Sequence, residues 1–96
     1  MSAQEAESAH RLPIEGTLDL HTFRPQEAIA VLEAFLEESR AEGWREVRIV
    51  HGKGTGTMRE QVQEYLKKSP HVAGFRLGDE TTGSWGATLA TLKPKN

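Results

Sequence analysis

The chain contains no cysteine. That removes disulfides, zinc–thiolate sites and thiol nucleophiles from consideration. No apolar run approaches the roughly 18 residues of a membrane span. Nor does a basic segment followed by an apolar run open the sequence, so it reads as lacking a secretory leader. A cytoplasmic protein with no membrane partner is the expectation. Positive charge is not in surplus either: the formal net charge is −2. Nucleic-acid binding would therefore have to come from a local patch of Lys and Arg. There is no internal repeat. The phosphate-cradling pattern G-x-x-x-x-G-K-[ST] and the dinucleotide pattern G-x-G-x-x-G are both missing, which makes a nucleotide cofactor a weak reading.

What is present suits one soluble globular domain. The chain has 96 residues, 36% of them hydrophobic and 27% charged, enough for a single two-layer core. Residues 1–13 are polar and without periodicity and read as a flexible tail, leaving 14–96 as the domain. Thr17 to His21 alternates with period two, placing Leu18 and Leu20 on one face and Thr17, Asp19 and His21 on the other. Pro25 opens a helix, with Thr22 as a candidate cap just upstream. Ala28, Ile29, Leu32, Phe35 and Leu36 recur along it at helical spacing, and Gly43 ends it. Glu46 to His51 is a second strand, with Val47 and Ile49 on one face and Arg48 and Val50 on the other. A glycine-rich turn over 53–57 leads into a second helix with Met58, Val62, Tyr65 and Leu66 as its stripe, stopped by Ser69-Pro70. Two more strands follow, 72–77 and 87–92, read as a hairpin around a polar loop. The order β-α-β-α-β-β predicts an α/β two-layer sandwich with a mixed four-stranded sheet and two helices.

A strand, a helix and a strand in succession form a parallel pair, so the first two strands end at one edge. Open α/β sheets bind ligands beyond such ends. Asp19, His21 and His51 are predicted there. An imidazole exchanges protons near neutral pH, and a neighbouring carboxylate sets its tautomer and orientation. The competing structural reading has Asp19 capping the turn and His21 bonding only backbone. In the turn Gly52-Lys53-Gly54-Thr55-Gly56, three glycines allow close backbone approach to a ligand, and a helix start favours an anion. Lys53, Arg24 and Arg59 add positive charge. A tight turn that binds nothing is the competing reading. Asp19, His21 and His51 also supply a two-histidine, one-carboxylate donor set, although no helix-borne H-x-x-x-H or carboxylate cluster accompanies it. Trp85 is either a base-stacking platform or a loop residue closing the core edge. Trp44 and Tyr65 read as packing residues.

These motifs together resemble the Smr (small MutS-related) domain. The resemblance runs from Gly16 to Leu92 and rests on Leu18-Asp19-Leu20-His21, the helix after it, and His51-Gly52-Lys53-Gly54-Thr55-Gly56 before the second helix. Gly86 and the strand 87–92 resemble the family's closing segment. Many members carry glycine after the first histidine, where this chain has Thr22. The resemblance implies a β-α-β-α-β-β sandwich similar to the C-terminal domain of a bacterial translation initiation factor. It implies nucleic-acid binding and, in many members, endonuclease activity on DNA or RNA, including messenger RNA on stalled ribosomes. The family's cleavage motif falls on Asp19 and His21. Its binding or activity motif falls on His51, Gly52, Lys53, Gly54 and Gly56.

The expected function is accordingly a nucleic-acid endonuclease, RNA foremost, acting as a monomer with a ribosome as one partner. His21 would move the proton, Asp19 would orient it, and His51, Lys53 and the turn would hold the phosphate, with Arg24, Thr55 and Arg59 beside them. RNA supplies its own 2′-hydroxyl nucleophile, so no cofactor is required; DNA nicking would need a divalent metal or an activated water. A non-catalytic module docking on nucleic acid or the ribosome is the rival. A small-molecule phosphate or nucleotide binder ranks third.

Overall fold

The computed structural model describes residues 13–78 and 86–95. The expected tail lies outside these residues save for Pro13, and Trp85 lies outside them too. The described elements are β1 (Gly16–Asp19), α1 (Pro25–Ala41), β2 (Glu46–Val50), α2 (Thr57–Lys68), β3 (Val72–Leu77) and β4 (Ala87–Leu92). They form one four-stranded sheet in the order β1-β2-β4-β3. β1 and β2 are parallel, while β2–β4 and β3–β4 are antiparallel. The mixed α/β fold is the one the periodicities predict.

One face of the sheet carries the helices. Leu20, Leu32, Leu36, Val47, Ile49, Val62 and Leu66 form a continuous buried core there. Both helices are held by these apolar stripes rather than by side-chain caps, since neither N-cap makes a side-chain cap hydrogen bond. Thr22 is not the cap of α1. The N-cap is Arg24, with φ −72° and ψ 146°. Pro25 disfavours helical geometry in the residue before it, so Arg24 stays extended and the helix starts at the proline.

β1 is shorter than its alternation suggests. Strand geometry stops at Asp19, although the Leu20 N–H still donates to the Val50 carbonyl at 2.7 Å. His21 lies in the turn that follows, closed by the Phe23 N–H on the Leu20 carbonyl at 3.0 Å. The register Asp19↔Val50 places the ends of β1 and β2 side by side. Because β4 inserts between β2 and β3, β2 and β4 are the central strands, with the four-residue β1 and β3 at the edges.

Candidate functional site

The Asp19 carboxylate holds the turn in which His21 sits. Its Oδ1 accepts the backbone N–H of His21 at 3.0 Å and also contacts Nδ1 of the same ring. A carboxylate can only accept, so Nδ1 carries a proton, and in the neutral ring Nε2 is the nitrogen that presents a lone pair. The two side chains are 54% and 52% exposed. The bond from the His21 ring, and then its backbone N–H, hold Asp19 below the ordinary carboxylate value. Asp19 thus braces the turn, as the structural reading had it, but the His21 ring contacts this carboxylate rather than a backbone carbonyl.

His51 is placed differently from His21. Period two along β2 puts it on the face of Val47 and Ile49, towards the helices. It is 4% exposed. Its Nδ1 donates to the Gly52 carbonyl at 3.0 Å. Its Nε2 accepts the Thr88 hydroxyl at 2.9 Å, and that hydroxyl accepts the Gln63 amide at 3.3 Å. The Gly52 carbonyl fixes a proton on Nδ1, and Nε2 accepts from Thr88 when the ring is neutral, the form that burial favours. Burial lowers the His51 pKa; the Gly52 carbonyl opposes the shift, and the nearby Arg59 charge adds to it. The expectation of two histidines presented together therefore holds for the backbone positions but not for the rings. His51 is a brace under the glycine turn, tying α2 and β4 to the end of β2.

The turn itself is anchored from β4. The Gly86 carbonyl accepts both the His51 and the Gly52 N–H, each at 2.9 Å. Gly52 has φ +82°, and a Cβ built on it would lie 3.3 Å from the His21 Cβ. This is the point at which the two motifs touch. Gly56, the N-cap of α2, has φ +90°, and the Arg59 guanidinium folds back over it. The first helical bond runs from the Glu60 N–H to the Gly56 carbonyl. The N–H groups of Met58 and Arg59 therefore lack intrahelical acceptors. Lys53 is exposed on the turn, its stem against Gly86. Thr55 bonds the Thr57 hydroxyl at 3.0 Å and accepts the Thr57 N–H at 3.4 Å, so it shapes the helix start. Gly54 has open space around it. Arg24 is solvated, 3.9 Å from Glu27 across one helical turn.

A cleft of ≈ 240 Å³ opens between the start of α1 and the start of α2, walled by Phe23, Pro25, His51, Gly52 and residues 54–59. The sequence reading overlooked Phe23, Thr88 and Gln63. Thr88 and Gln63 carry no local signal, because their roles exist only through packing with His51. Among the described residues no group of three or more His, Asp or Glu side chains gathers as a metal donor set. The two-histidine, one-carboxylate arrangement is not formed, because His51 turns inward. No helix among the described residues is long and apolar enough to cross a membrane.

Comparison with known proteins agrees with this architecture. The family model for the Smr domain matches residues 18–93. Endonuclease MutS2 of Staphylococcus carnosus is 38% identical over 91 residues, which is 95% of this chain but 12% of that protein. The chain thus spans about an eighth of the length of such curated relatives. The crystal structure of the Smr domain of Thermus thermophilus MutS2 superposes with a TM-score of 0.79 at 34% identity, covering 82% of this chain and 99% of that one. YdaL, a stand-alone small MutS-related protein from Escherichia coli, shares the fold with a TM-score of 0.79 at 24% identity, over 90% of this chain and 70% of its own. From its Asp19–His21 strand end to its closing strand, this chain belongs to the Smr domain family.

Proposed function

We propose that this chain is a nucleic-acid endonuclease whose preferred substrate class is RNA. The observation that carries the reading is the Asp19–His21 pair, exposed at the end of β1 and in contact with a glycine turn that bears Lys53. His21 Nε2 takes the proton of the 2′-hydroxyl, and Asp19 offsets the charge that develops on the ring. The 2′-oxygen bonds to phosphorus, the P–O5′ bond breaks, the 5′-oxygen takes a proton from water, and the proton held on His21 neutralises the hydroxide left behind, restoring the neutral ring and leaving a 2′,3′-cyclic phosphate. Lys53 and the amides at the start of α2 stabilise the charge on the phosphoryl oxygens. His51 acts through the turn, by keeping Gly52 and the helix start in place. DNA has no 2′-hydroxyl, so nicking it would require a metal-held or otherwise activated water at the same edge. The name of the MutS2 relatives supports an endonuclease, and the net charge of −2 suits a partner such as the ribosome supplying further contacts.

The test is end-labelled structured RNA incubated in EDTA. Wild type is expected to cleave, with His21→Ala slower by about 10²- to 10⁴-fold, the usual range for one acid–base group. Lys53→Ala should weaken binding. One observation favours a second reading: His51 is not free to act as the partner acid, leaving one exposed imidazole at the edge. A non-catalytic module that docks on RNA or on the ribosome needs no second group. It would show binding by wild type and by His21→Ala alike, with cleavage by neither.

A further inference from the structure

The cleft between the two helix starts has no part in the proton-transfer chemistry, yet its walls are distinctive. Phe23 is 37% exposed, and among the described residues it and Leu77 are the large hydrophobics left exposed. It stands in the turn between β1 and α1, held by its N–H on the Leu20 carbonyl at 3.0 Å. Pro25 and Met58 add apolar wall, and Arg59 adds a guanidinium. The volume, ≈ 240 Å³, lies below the roughly 300–1,000 Å³ of drug-sized sites. Gly52 belongs to the cleft wall and also lies against His21, so the cleft and the Asp19–His21 pair are separated by one glycine.

We infer that this cleft receives a single unpaired nucleobase, stacked on Phe23, from the strand whose phosphate lies at His21 and Lys53. The inference rests on the nucleic-acid reading above and adds a substrate requirement to it. A flat aromatic wall and apolar flanks suit the face of a base and not a bare phosphate. The cations next to the cleft, Lys53 and Arg59, suit the backbone that carries it. A paired base cannot enter without leaving its stack, so the site selects single-stranded or looped segments. Stacking is sequence-tolerant, because every base has a π-face. Phe23 is thus a binding residue set beside the chemistry, and it chooses strandedness rather than sequence.

The experiment measures affinity for three oligonucleotides of equal length: a single strand, the same backbone with abasic residues, and a blunt duplex. Wild type is expected to bind the base-bearing single strand about 5- to 150-fold tighter than the abasic strand, the range for one stacked base. Phe23→Ala and Phe23→Leu should both erase that ratio, and Phe23→Trp should keep it. The leucine variant retains an apolar side chain in the turn, so agreement between the two losses separates stacking from misfolding. Equal affinity of wild type for base-bearing and abasic strands, both weakened by Lys53→Ala, would overturn the base site and leave the nucleic-acid reading standing. So would a ratio unaffected by Phe23→Ala. No binding of wild type to any of the three would overturn both.

Discussion

At position 52 the backbone has φ +82°, and an added Cβ would meet the His21 Cβ at 3.3 Å. Any L-residue there is opposed twice, by its own left-handed geometry and by the neighbouring motif. Left-handed geometry alone costs about 1–2 kcal/mol. The contact would also require the His21 Cβ, in the neighbouring motif, to give by a few tenths of an ångström. Gly52→Ala is therefore expected to lower stability by at least that amount and to cut cleavage further than the folded fraction explains. Denaturant melts beside initial rates on folded protein check this. A rate that simply tracked the folded fraction would mean that Gly52 serves the turn alone. The His21 ring is exposed, so replacing it should cost little stability, whereas replacing Asp19 also removes the acceptor of the His21 N–H that holds the turn.

Between elements, the bracing of the glycine turn is a relay of three side chains. Gln63 on α2 donates to Thr88 on β4, Thr88 donates to His51, and His51 donates to the Gly52 carbonyl. The relay joins one helix and the two central strands beneath the edge where the motifs meet. Thr88→Val keeps the shape of the side chain but leaves His51 Nε2 and the Gln63 amide without their hydroxyl. A buried group deprived of its partner costs about 1–3 kcal/mol. Thr88→Val should show that loss by chemical denaturation, and Thr88→Ser should restore it. If serine fails to rescue, the methyl group's packing is the larger contribution. A parallel device holds the opposite face, where buried Glu46 of β2 bonds Thr91 of β4 at 2.9 Å and Arg76 of β3 at 3.2 Å.

For the whole molecule, the buried neutral state of His51 makes stability depend on pH. Its folded pKa lies below the ordinary value of 6.5. Above 6.5 both folded and unfolded chains keep the ring neutral, and the stabilisation is fully present. As pH falls below 6.5 the unfolded chain binds the proton first, so stability declines until the lower folded pKa is passed. The decline for one group cannot exceed about 1.4 kcal/mol per pH unit. Denaturation midpoints from pH 7.5 down to pH 5 should fall for wild type and lose that component in His51→Gln. An unchanged profile in the variant would place the acid sensitivity elsewhere. Asp19 acts in a separate window: its lowered pKa gives stability present above 3.8 and lost as pH falls through the folded value.

Much of this protein follows from local pattern alone. Apolar spacing of 3.6 along 25–41 and 57–68, and of two along the strands, determined the element order and most of the core, because burial of a stripe is dictated residue by residue. Period two also placed Asp19 and His21 on one face of β1, whereas the inward turn of the His51 ring, expected beside them, emerged only from the packing of α2 and β4. Even the bends at Gly52 and Gly56 were legible, since left-handed backbone is where glycine is favoured. Tertiary structure alone decided the rest. That β4 lies between β2 and β3, that Thr88 meets His51 from 37 residues away, and that Phe23 faces the start of α2 across a cleft are all contacts between distant segments. No local propensity encodes such contacts; they exist because the sheet and both helices must share one core, and sharing it brings those side chains within reach.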